Sequence, residues 1–131
     1  MIVQQGAADD TLQRMRYLGV ICAVLAAPAF AGEPTVVDVQ ARDQGGSWRF
    51  DVTVAHGDTG WDHYADGWRI YAPDGTELGY RELLHPHVNE QPFTRSLSGV
   101  TIPEGIGTVT VRASDSVHGE GPAVSVPLPG R

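Results

Sequence analysis

Trp48-Arg49-Phe50-Asp51-Val52-Thr53-Val54 alternates apolar and polar residues at every step, and this period of two decides how the rest of the chain is read. A helix would bring its apolar residues back every third or fourth position, whereas a strand with one buried face brings them back every second. The same alternation returns in Val37, Val39 and Ala41, in Trp68, Ile70 and Ala72, and in Leu78 and Tyr80. It returns again in Val109, Val111 and Ala113 and in Val124, Val126 and Leu128, with a weaker run from Phe93 to Leu97. Gly45-Gly46, Asp74-Gly75 and Pro103-Glu104-Gly105 stand between these runs, and Asp-Gly between two alternating runs is a strong hairpin signal. The pattern predicts strands over 36–42, 47–56, 67–73, 77–84, 93–98, 107–113 and 122–128, with no helix after residue 31. The expected fold is all-β: an antiparallel immunoglobulin- or fibronectin-like β-sandwich of about seven strands, forming one domain over residues 32–131.

The 131 residues carry 9 basic side chains, all Arg, against 16 acidic ones, for a net charge of -7. That balance argues against nucleic acid or anionic lipid as a partner, because both require clustered positive charge. Arg14 and Arg16 precede the apolar run Tyr17 to Leu25, and Ala29-Phe30-Ala31 follows. Residues 1–31 are therefore read as a secretory signal peptide cleaved after Ala31, with Met15 as an alternative start. The run is shorter than the ~20 residues that a membrane-spanning helix needs, so no membrane span is expected. Cys22 follows Ile21, where a lipidated cysteine would follow a small residue, which argues against lipidation. Without Cys22 the domain has no cysteine, so neither a disulfide nor a thiolate metal site is expected. An exported, acidic, lysine-free domain reads as periplasmic or secreted.

If successive strands alternate in direction, His56, His63, His85, His87 and His118 all fall at one end, among loops that also carry Asp58, Asp62, Glu90 and Asp115. Imidazole with carboxylate is the donor set that copper, zinc or iron accepts when no thiolate is available. The candidate metal ligands are His85, His118, His87, His63 and Asp115. The His85-Pro86-His87 unit holds two imidazoles at a restricted spacing. His56 continues the inward parity of Trp48 to Val54 and is read as a core-edge histidine. Trp68 is expected in the core, while Trp61, Tyr64, Glu90 and Arg95 are candidates for contacting a protein or glycan partner. No nucleophile elbow, phosphate loop or carboxylate pair identifies a reaction. Metal binding is thus the expected function, a non-enzymatic recognition module the alternative, and a metal-dependent oxidoreductase the leading choice if the protein is an enzyme.

His85-Pro86-His87-Val88-Asn89-Glu90-Gln91, followed by Asp115-Ser116-Val117-His118-Gly119, resembles the iron centre of the superoxide reductase (desulfoferrodoxin) family. The resemblance implies an immunoglobulin-like sandwich in which His85 and His118 match iron ligands. Two departures stand against it. Gln91 occupies the place of a ligating histidine, and Asp115 that of the thiolate cysteine. Sulfur donation to iron is central to that chemistry, so the resemblance supports a metal at this end of the fold more than it supports superoxide reduction.

Overall fold

A computed structural model describes residues 32–131; the expected signal peptide over 1–31, its alternative start at Met15 and Cys22 lie outside the described residues. The described chain is all-β and antiparallel, with strands β1 (Thr35–Asp43), β2 (Trp48–Ala55), β3 (Ala65–Tyr71), β4 (Glu77–Glu82), β5 (Phe93–Val100), β6 (Thr108–Asp115), β7 (Gly119–Glu120) and β8 (Val124–Pro127). One sheet has the order β1-β2-β5; the other has the order β4-β3-β6, with β7 and β8 both pairing with β6. Gly119 and Glu120 pair with Asp115 and Ser114, and Val124 to Pro127 pair with Val111 to Thr108. The β7–β8 edge is therefore one strand interrupted at Gly121-Pro122-Ala123.

Alternation does the work expected of it. Trp48, Phe50, Val52 and Val54 of β2 are buried, while Arg49, Asp51 and Thr53 are half-buried on the opposite face. The inward rows of both sheets meet in one core, with Phe50, Trp68, Ile70, Val109 and Val111 among its fully enclosed side chains. Close packing on this scale makes the strand ends rigid, and rigid ends hold loops in place at little entropic cost. The outer face of the first sheet is knitted by Asp51, which accepts hydrogen bonds from Arg42, Arg49 and Ser96.

Two inward rows end in polar residues. Trp48-Phe50-Val52-Val54 continues to His56, just past β2, and Val109-Val111-Ala113 continues to Asp115, the last residue of β6. Because β2 and β6 belong to opposite sheets, the parity of each delivers a buried polar group to the same end of the core.

Candidate metal centre

His56 Nε2 and Asp115 Oδ2 meet across the sheets at 3.0 Å, with both side chains fully buried. His56 arrives by strand parity, and its amide is fixed by donating to Gln91 Oε1 at 2.9 Å. His63 arrives from the β2–β3 loop. A short turn, in which the His63 amide donates to Gly60 O and the Thr59 amide to His63 O, puts Trp61 and Asp62 at the tip and turns His63 back toward the sheets. Its Nε2 lies 3.0 Å from the same Asp115 Oδ2 and 3.3 Å from Gly32 O. His118 arrives from the turn between β6 and β7, its Nδ1 also 3.0 Å from Asp115 Oδ2. Three imidazole nitrogens thus converge on one carboxylate oxygen. One ligand atom each from His56, His63 and Asp115 lies within 4.8 Å of the others, a grouping that could hold a metal ion.

Burial alone would raise the Asp115 carboxyl. The His118 and Val117 amides on Oδ1 and the His118 and His63 rings on Oδ2 outweigh it and hold the group well below the usual carboxylate range. The carboxylate therefore stays ionised across any physiological pH.

Behind His56 stands a second buried carboxylate. Asp58 Oδ1 lies 2.5 Å from His56 Nδ1 and accepts the Ala65 amide at 3.1 Å, while Oδ2 accepts the His87 amide at 2.7 Å. Gln91, which binds the His56 amide, also donates Nε2 to His87 O at 3.0 Å. Asp58 and Gln91 together fix the relation between the end of β2 and the His-Pro-His loop.

Among the sequence-predicted ligands, His63, His118 and Asp115 come together, whereas His85 and His87 form a separate group. His87 stacks on Phe93 with ring centroids 3.9 Å apart, and His85 lies beside it at 4.7 Å. Arg95 Nη2 donates to His87 Nε2 at 2.9 Å, which takes up one of the two ring nitrogens. Burial, and then the Arg95 and His85 charges, push the His87 ring below the usual imidazole range, outweighing Glu90 and Asp58. Arg95 also reaches Glu90 at 3.4 Å. Trp61 is 66% exposed and meets Tyr64 edge-on at 5.5 Å, so the recognition candidates lie on the rim of the same end.

Sequence reasoning set His56 apart as a core-edge residue and did not single out Asp58 and Gln91, which hold it in place. The available signal was the shared inward parity of His56 and Asp115 on two strands. Asp58 and Gln91 act through bonds to distant backbone, which leave no periodic trace.

No known family's sequence profile matches the chain. A protein of Halomicrobium mukohataei named "Putative lipoprotein" is 47% identical over 90 residues, which cover 68% of this chain and 44% of that protein. The chain thus spans less than half the length of this relative. Two solved structures share the fold at 16% identity, each aligned over 78% of this chain. One is a hypothetical protein from Pyrococcus horikoshii, covered over 93% of its length with a TM-score of 0.54. The other is superoxide reductase in its oxidised state, covered over 94% with a TM-score of 0.52.

Proposed function

We propose that this chain is an exported metal-binding protein whose ion is held by His56, His63 and Asp115, with His118 as a fourth donor. The observation that carries the reading is His56, enclosed between two carboxylates, 2.5 Å from Asp58 and 3.0 Å from Asp115. A neutral imidazole has one N–H and one lone pair. With Nδ1–H donated to Asp58, the Nε2 lone pair faces Asp115 Oδ2, and a cation between them makes that contact favourable. A divalent ion meets this need and offsets two carboxylates that, among the described residues, are buried without a contacting arginine. Asp58 then orients a ligating imidazole through its far nitrogen, the usual support of a histidine–metal bond.

The donor set suits copper, zinc or iron. Bound there, such an ion would supply a Lewis-acidic or redox-active centre beside the exposed rim. The fold shared with superoxide reductase and the placement of the two sheets support an immunoglobulin-like sandwich with a metal at this end. Asp115 in place of a thiolate supports metal binding over superoxide reduction. The leader-like sequence and the name of the H. mukohataei relative support export to the periplasm or beyond.

Elemental analysis of the untagged protein, followed by competition titration with Cu(I), Cu(II), Zn(II) and Fe(II), tests the reading. The expected result is one ion per chain, bound by the native protein and by His85→Ala and lost in His56→Ala. Equal, weak binding by native and His56→Ala chains would overturn the reading and reduce the cluster to a hydrogen-bond network. A second reading rests on the exposed Trp61 and its Tyr64 neighbour: a protein or glycan partner binding the rim of metal-stripped protein would favour it.

A further inference from the structure

Where the edge strand β4 of one sheet faces the edge strand β5 of the other, a cavity of about 60 Å³ is lined by Arg81, Leu83, Leu84, His85, His87 and Arg95. Two guanidinium groups and two imidazoles line it, and no carboxylate does. This is unusual in a chain of net charge -7. Arg42 and Arg49 pair with Asp51, Arg69 with Glu77 and Arg112 with Glu120. Arg81 instead donates Nε to Ser96 O at 2.9 Å and Nη1 to Glu82 O at 2.7 Å, and among the described residues no carboxylate pairs with it. These carbonyls hold the guanidinium in place across the gap between the sheets without neutralising it.

A second observation concerns His87, which also lines the cavity. The His87 side chain is only 3% exposed, and among the described residues its Nδ1 has no hydrogen-bond partner. Arg95 donates to Nε2, so in the neutral ring the proton resides on Nδ1. A buried N–H without an acceptor is costly, and such groups in native proteins call for a missing partner.

We infer that this cavity is a binding site for a small oxyanion, a carboxylate or phosphate group, held by Arg81 and Arg95 beside the buried ring of His87. The volume is several times the ~10–15 Å³ that a cavity needs to admit one water, so there is room for a small group. Guanidinium forks match planar carboxylate and phosphate oxygens better than any other side chain does. Glu90, the acid nearest Arg95, is 58% exposed and stands outside the lining, so it is free to swing away as an anion enters. None of its lining residues is assigned to the ion, although Asp58 ties the His87 amide to the ring of His56.

Nitrogen-resolved NMR of the metal-stripped, dialysed chain, titrated with sodium phosphate, sodium sulfate or sodium acetate at constant ionic strength, tests the proposal. Saturable shifts of the Arg81 and Arg95 Nε–H signals are expected, and the stronger of phosphate and acetate assigns the ligand class. Arg81→Gln should weaken binding by about tenfold, the scale of a lost charge-assisted contact. Leu84→Glu should do the same, because Leu84 is a 66% exposed rim residue and its replacement removes no hydrogen bond. This second variant keeps the test decisive if Arg81→Gln loosens the contact between the sheets. Shifts that grow linearly with every salt, or an affinity unchanged by Leu84→Glu, would overturn the site.

Discussion

His56 sits where the inward row of β2 meets that of β6, and its two ring nitrogens divide the work between Asp58 and Asp115. Replacing Asp58 with Asn keeps the shape but weakens the acceptor behind Nδ1. The expected cost is about 10- to 100-fold in metal affinity, read by competition with a chromophoric chelator. His118→Ala should weaken the ion further while His85→Ala leaves it unchanged, because the His118 ring lies on Asp115 and the His85 ring lies against His87. The histidine-rich end was legible in the sequence, since alternating strand directions alone collect the five rings there. The membership of the cluster was only half legible. Parity says that His56 points inward, but not that a carboxylate from the opposite sheet points back at it. Asp58 binds the His87 amide 29 residues away, a relation that no local pattern announces.

Strand by strand, the sequence carried more. The predicted runs match β1 to β6 and β8 closely, and the period of two is clean in β2 and β8; in β1 a bulge between Val36 and Asp38 buries Val36 in place of the expected Val37, and in β4 no residue is buried, with Tyr80 exposed. β7 was invisible: Gly119-Glu120 has no apolar residue to alternate, and it pairs only because the turn after Asp115 returns the chain along β6. Gly121 beside it packs directly on the Pro34 carbonyl oxygen, where a methyl group would overlap the backbone. Gly121→Ala should therefore cost about 1–3 kcal/mol in chemical denaturation. On the outer face of β2, burial alone would raise the Asp51 carboxyl, but Ser96, Arg42 and Arg49 together lower it below its ordinary value of 3.8. A carboxyl lowered by folding contributes stability that is fully present above that value and lost as the pH falls through the folded-state value. Acid unfolding of Asp51→Asn should accordingly depend less on pH below 3.8 than that of the native chain, with about 1–2 kcal/mol lost at neutral pH.

At the largest scale, the described residues 32–131 share one core, and a fold of about 100 residues has little stability to spare. An ion that binds only the folded chain adds about 2.7 kcal/mol at a hundred times its dissociation constant, or roughly 10–20 °C in midpoint for a domain of this size. Thermal unfolding followed by circular dichroism, with and without the ion, should show that rise in the native chain and none in His56→Ala. Removing the core itself is a different loss: Phe50→Ala should cost about 3–5 kcal/mol whether or not metal is present. The two ends of Asp58 join these scales. Oδ1 faces the His56 ring, and Oδ2 holds the amide of His87, whose ring walls the cleft between the sheets. A heritable change at position 58 would thus be felt on both surfaces in the same generation. Descendants of this chain could refashion either surface through its own residues, but could abandon Asp58 only by giving up the inherited form of both.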